Sequence, residues 1–197
     1  MLSLVAAARE PGYPAEIALV ISNNADAAGL AAAARAGVPV LAVDHRPFCG
    51  DRAAHEAAID AALREAGAEL VCLAGYMRVL TPFLIEAWRG RMINIHPSLL
   101  PAFAGLNTHA RALAAGVRVH GCTVHFVNEG VDEGKVIAQA VVPVLPGDSE
   151  DVLAARVLAA EHRLYPLALA MAAGGEPGWA APDAVLFNPL PGAVPGP

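Results

Sequence analysis

Lysine is almost absent from this chain: Lys135 is the single lysine among 13 basic residues, set against 19 acidic ones for a formal net charge of −6. That balance excludes a surface built to hold nucleic acid or an anionic membrane, where basic side chains dominate a face. An anionic ligand has to be held by local groups. Charged residues make up 16% of the chain and aromatics 5%, and no apolar run reaches the roughly 18 to 20 residues of a membrane-spanning helix. Three cysteines, Cys49, Cys72 and Cys122, cannot all pair with one another, and the N-terminal MLSLVAAARE lacks the basic flank of a signal peptide. A reducing, cytoplasmic setting is expected. The G-x-G-x-x-G and Walker A patterns are also lacking, so neither a dinucleotide nor an ATP site has a local signature. His96, His109, His120 and His125 show no H-x-x-x-H or H-E-x-x-H spacing, and no cysteine pair accompanies them, so no metal is expected.

What is present is apolar and periodic. The 197 residues, 56% hydrophobic, fit one globular domain with a full core. EIALVIS (Glu16 to Ser22), VPVLAV (Val38 to Val43) and ELVCLAG (Glu69 to Gly75) read as short buried strands. Each precedes a helical segment: AGLAAAARAG, DRAAHEAAIDAALREAG and PFLIEAWRG respectively. Strands alternating with helices in this way predict an α/β fold, a Rossmann-like open, mostly parallel sheet with helices on both faces. RMINIH (Arg91 to His96) is a further strand, ended by Pro97 and followed by a long loop, and in open parallel sheets ligands bind beyond the strands' C-terminal ends. HGCTVHFV (His120 to Val127) and KVIAQAVVPV (Lys135 to Val144), joined by NEGVDEG, read as an antiparallel pair added to that sheet. A helix from about Ser149 to Ala173 opens on Asp148, Ser149, Glu150 and Asp151, which suit a helix N-terminus. Residues 176–197 hold six prolines and three glycines and read as an extended or frayed tail behind a catalytic domain of residues 1–175.

Asn94 and His96 are two apart on a strand, so they share a face, and Pro97 places that face at the strand's end. A histidine there can shuttle protons near neutral pH, and an asparagine amide can donate to an oxygen that gains negative charge. Acyl transfer to an amine needs both. Taken alone, the pair also suits groups that satisfy loop backbone, and Asp132 in VDEG reads as a turn aspartate.

The wider motifs settle the reading. NIHPSLLPAFAGLNTH (Asn94 to His109), preceded by LAGYMRVLTP (Leu73 to Pro82) and followed by HGCTVHFVNEGVDEG (His120 to Gly134), resembles the folate-dependent formyltransferases in motif order and spacing, over about residues 1–174. The resemblance implies transfer of a formyl group from the co-substrate 10-formyltetrahydrofolate to the amine of glycinamide ribonucleotide, in purine biosynthesis. It makes Asn94, His96 and Asp132 the catalytic trio, with Asn94 and protonated His96 stabilising the oxyanion and Asp132 favouring the charged imidazole. It assigns folate to Met77, Arg78, Val79 and Leu80, to Asn94, and to the turn Asn128, Glu129, Gly130, Val131 and Asp132. Arg52 would meet the folate's glutamate tail. Glu161 would receive the glycinamide amine, with Met77 also at the substrate. His109 and His125 would order the loop and strand around the site, His120 and His162 would be structural, and His45 and His55 would lie on the surface.

Members of this family begin with a strand and a glycine- and serine-containing loop that leads into the first helix and binds the ribose phosphate. MLSLVAAARE resembles the body of that helix, so the interior strand and phosphate loop are expected to be absent from the sequence given. Two relatives sharing the trio, acting on methionyl-tRNA or as formyltetrahydrofolate deformylases, carry an added C-terminal β-barrel or N-terminal regulatory domain, for which this chain has no room. A non-catalytic or inactive folate-binding relative would keep Met77 to Leu80 and the turn at Asp132 without needing Asn94 and His96.

Overall fold

The computed structural model describes residues 1–174 and 185–187. Its elements run α1 (Leu2–Ala7), β1 (Val20–Ser22), α2 (Ala28–Arg35), β2 (Val40–Ala42), a 3₁₀ turn (Arg46–Phe48), α3 (Arg52–Glu65), β3 (Val71–Leu73) and α4 (Pro82–Ala87). Then follow β4 (Met92–His96), α5 (Thr108–Ala114), β5 (Val119–Phe126), β6 (Val136–Pro143), α6 (Glu150–Ala172) and β7 (Val185–Phe187). The longer helices start where their caps dictate: the Asp51 carboxylate accepts the Ala54 N–H and the Ser149 hydroxyl accepts the Val152 N–H, each satisfying an N–H that the first helical turn leaves without a partner. Gly37, at φ +70°, follows the end of α2 in the left-handed conformation that closes helices.

Parallel pairing joins β1 to β2, β3 to β4 and β6 to β7, while β4–β5 and β5–β6 are antiparallel. The expected antiparallel addition is therefore seen. The strands do not form one sheet among the described residues; they form a two-stranded sheet, β1–β2, and a five-stranded sheet in the order β3-β4-β5-β6-β7. β1, β2 and β3, read as six or seven residues long, are three each, because ladder pairing extends only as far as a neighbour runs alongside.

Two apolar clusters cover the two faces. Ile93 of β4, Cys122 and Val124 of β5, and Ala138, Ala140 and Val142 of β6 pack with Leu4 of α1, Ala112 of α5, and Leu153, Val157 and Leu164 of α6. Met92, one residue before Ile93, points the other way and packs with Ile59 and Leu63 of α3, Leu84 of α4 and Trp88 just after it. This is the period-two alternation of a strand buried on both faces. Tyr165 of α6 ties two strands together by donating its hydroxyl to the Leu73 carbonyl at 2.7 Å, with the Ile93 carbonyl at 3.1 Å.

The 108–114 segment, expected within the long loop after β4, is helical. Among the tail residues, 185–187 add a strand parallel to β6; the rest of the expected tail, and with it the domain boundary, lies outside the described residues. No helix among the described residues is long and apolar enough to cross a membrane.

Candidate active site

Alternation along β4 decides which residues meet. Ile93 and Ile95 face the α6 side, so Asn94 and His96 face the other, and antiparallel pairing sets His125 opposite Asn94 and Thr123 opposite His96. One patch at the end of β4 thus collects Asn94, His96, Thr123 and His125. Asp132 reaches it from the turn between β5 and β6: its Oδ2 lies 3.3 Å from His96 Nδ1 and its Oδ1 3.8 Å from His125 Nε2. The sequence reading placed Asn94, His96 and Asp132 at one site, and the fold brings all three together.

The two histidines of the patch differ in their partners. His96 Nε2 is 3.2 Å from the Phe103 carbonyl oxygen, so both nitrogens of this buried ring face oxygen atoms. His125 differs. Its Nδ1 donates to the Phe126 carbonyl at 2.9 Å, and burial pushes the imidazole below its ordinary range. Its Nε2 is then the acceptor, 3.5 Å from Asn94 Nδ2, which orients the Asn94 amide and leaves its second N–H available.

The surrounding backbone is fixed unusually tightly. Asp132 adopts the left-handed conformation, φ 57°, which aspartate tolerates better than most residues, and its Oδ2 also accepts the Gly105 N–H at 2.9 Å. A side chain at Gly134 would put its Cβ 1.6 Å from the Phe126 carbonyl oxygen, so only glycine fits where the turn closes on His125. The Pro97 to Asn107 loop is fastened from beneath: the Thr123 hydroxyl donates to the Ser98 carbonyl at 2.7 Å and accepts the Leu100 N–H at 3.0 Å. Gln139 donates to the Leu100 carbonyl at 2.9 Å. Ser98, Thr123 and Gln139 escaped the sequence reading; the signal for the last two was their place on the His125 side of the two-residue alternation.

The loop carrying Met77, Arg78, Val79 and Leu80 and the turn Asn128 to Asp132 root in the same apolar cluster, through Leu80 and Val127. Met77, at 79% exposure, and Val79, at 68%, stand in solvent, as do Asn128, Glu129 and Val131, with Gly130 half-buried. Glu129 meets Arg89, after α4, at 3.2 Å. Arg52 donates to the Val79 carbonyl at 3.3 Å. Glu161 lies on α6, and burial pushes its carboxyl up to about 7.

The other histidines divide. His109 and His120 stack edge to face at 5.3 Å between ring centres, and burial first, then His109, brings His120 down to about 4. His55 corrects the surface assignment: it is buried, with Nε2 2.8 Å from the Val43 carbonyl oxygen. Among the described residues no three His, Cys, Asp or Glu side chains group as metal ligands.

Residues 2–169 match the family model described as formyl transferase. The chain is 49% identical over 173 residues to the trifunctional purine biosynthetic protein adenosine-3 of Gallus gallus, covering 88% of this chain but only 17% of that protein. It is 45% identical over 167 residues to phosphoribosylglycinamide formyltransferase of Haemophilus influenzae, covering 85% of this chain and 78% of that one. The crystal structure of phosphoribosylglycinamide formyltransferase from Brucella melitensis superposes with a TM-score of 0.83 at 54% identity, over 88% of this chain and 89% of that chain.

Proposed function

The chain belongs to the formyl transferase family, and we propose that it transfers the formyl group of 10-formyltetrahydrofolate to the amine of glycinamide ribonucleotide, as a cytoplasmic enzyme of purine biosynthesis. The observation that carries this reading is the convergence of Asn94, His96 and Asp132 at the end of β4, with His96 held between the Asp132 carboxylate and the Phe103 carbonyl. The glycinamide nitrogen attacks the formyl carbon, forming the new C–N bond as the carbonyl π electrons move onto oxygen. Asn94 Nδ2–H donates to that oxyanion, and His96 Nε2–H exchanges the Phe103 carbonyl for it while Nδ1 stays on Asp132, in surroundings where water competes little and a positioned donor counts for more than in solvent. Collapse of the tetrahedral intermediate breaks the bond to N10 of the folate. The attacking amine loses a proton and N10 gains one, with His96 relaying it and Asp132 holding the ring in place. Tetrahydrofolate leaves.

The folate is assigned to Met77, Arg78, Val79 and Leu80 on one side and Asn128, Glu129, Gly130, Val131 and Asp132 on the other, with Arg52 toward its glutamate tail. Exposed apolar side chains beside a polar catalytic patch suit a flat heterocycle. Glu161 takes the glycinamide amine, and Met77 borders the same substrate. The test supplies the purified chain with both substrates and follows tetrahydrofolate and formylated product together. Stoichiometric release of the two, dependent on glycinamide ribonucleotide, is expected. Formate release without an acceptor, or formylation of methionyl-tRNA instead, would overturn the assignment in favour of the two rival activities.

A further inference from the structure

Glu56 is a carboxylate at 2% exposure in the middle of a helix, and no ion pair offsets it among the described residues. Burying a charge is unfavourable unless hydrogen bonds replace its water. Here they come from one residue. The Thr81 backbone N–H lies 2.9 and 3.1 Å from the two carboxylate oxygens, and the Thr81 hydroxyl donates to Oε2. Thr81 stands at the N-cap of α4, where a threonine side chain ordinarily accepts a helix N–H, yet it makes no such cap bond. Its hydroxyl is committed to Glu56 instead.

One turn earlier on α3, Arg52 donates to the carbonyl of Val79. Residues four apart on a helix share a face, so Arg52 and Glu56 grip the backbone on either side of Leu80. The consequence is visible along the loop: Leu80 packs into the apolar cluster of Leu84 and Met92, while Val79 and Met77 are left in solvent. Burial, and then Glu56, push the Tyr76 phenol up.

We propose that Glu56 is a positioning residue for the folate: through Thr81, and together with Arg52, it fixes the Met77 to Leu80 segment in the conformation that receives the pterin. The proposal rests on the function proposed above, because it takes this loop as the folate side of the site. It predicts a selective defect. Glu56→Gln keeps the shape but turns one acceptor oxygen into an NH₂ group facing the Thr81 donors. Loss of a charge-assisted hydrogen bond on this scale weakens the held conformation about tenfold.

Three readouts test it. In Glu56→Gln, amide exchange over residues 76–81 is expected to accelerate about tenfold while β5 and α6 keep their protection, since local openings are independent of the core. The Kd of 10-formyltetrahydrofolate, measured without the second substrate, and its KM are expected to rise about tenfold, with kcat within about twofold and a smaller rise in the KM of glycinamide ribonucleotide, which meets only Met77 of this loop. Thr81→Ala keeps the backbone N–H, so the same changes are expected at about threefold, and this milder variant decides the matter if Glu56→Gln does not fold. Unchanged exchange over residues 76–81 in the folded variants overturns the clamp. Faster exchange with unchanged folate affinity, or an equal loss in kcat and in both KM values, overturns the positioning role. Failure of the unmodified chain to bind 10-formyltetrahydrofolate would instead sink the proposed function, and the exchange measurement would still decide whether Glu56 holds the loop.

Discussion

The two sheets start from similar sequence and end in different physical states. β1 and β2 come from apolar runs, EIALVIS and VPVLAV, as hydrophobic as HGCTVHFV in β5. Yet Val40 and Leu41 of β2 are each 39% exposed, whereas six of the eight residues of β5 are buried. The five-stranded sheet has neighbours on both edges of β4, β5 and β6 and a 23-residue helix, α6, across one face. In the two-stranded sheet each strand has a partner on one edge only among the described residues. The lesson is that composition makes a strand possible, and neighbours make it buried, long and rigid. The candidate catalytic residues all sit in the better-supported sheet or in the turn hanging from it, where side-chain positions can be held to the tolerance that proton transfer and oxyanion stabilisation need.

That contrast can be broken in three places. The largest effect is expected for His96→Ala, which should lower formyl transfer by roughly 10² to 10⁴ while folate binding and the folded state persist; single-turnover kinetics beside a folate titration check it, and unchanged turnover would remove His96 from its role. Next comes a paired measurement of stability. Leu164, fully buried on α6, and Leu41, 39% exposed on β2, are each replaced by alanine and unfolded in urea. A loss of about 2 to 5 kcal/mol is expected for the first and about 0.5 kcal/mol for the second. Equal losses would show that the two-stranded sheet is packed as tightly as the other.

The smallest effect is pH-dependent and concerns Glu161. Its folded carboxyl is raised by burial from 4.5 to about 7, so between those values the folded chain keeps a proton that the unfolded chain releases, and stability falls as pH rises. Below about 4.5 both states are protonated and there is no penalty; above about 7 the penalty is complete. Glu161→Gln does not titrate, so its melting temperature relative to the parent should climb between pH 5 and pH 8, by a few degrees. A flat difference across that window would mean that Glu161 is well solvated when folded.

How much of this was legible before any fold was known depends on how local the cause is. The starts of α3 and α6 could be read to within a residue, and at each the structure shows a cap, Asp51 or Ser149, whose contact lies within one turn. Strand positions were legible, and so nearly were the lengths of β4, β5 and β6; β1, β2 and β3 are three residues each, shorter than read, since pairing depends on a partner from elsewhere in the chain. α5 went unread because its short Thr108 to Ala114 run follows a loop rich in proline and glycine, and seven residues hold a helix only when something packs on them. Asn94 and His96 could be placed on one face from their spacing alone. Asp132 could not: it is 36 residues beyond His96 in the chain, and without the family motif it is a turn aspartate. His55 and Glu56 were missed because an alanine-rich helix does not announce its inner face, although the stripe through Ile59 and Leu63, carried one turn back, lands on them.

By itself, then, the sequence determined the α/β class, the order and type of the main elements, the shared face of Asn94 and His96, and the family, because each rests on local periodicity or on a motif read along the chain. Tertiary structure alone decided the division of the strands into two sheets, the meeting of His96 and His125 over Asp132, and the grip of α3 on the loop before α4. Those depend on distances between residues far apart in the chain, and no local pattern encodes a distance that only packing creates.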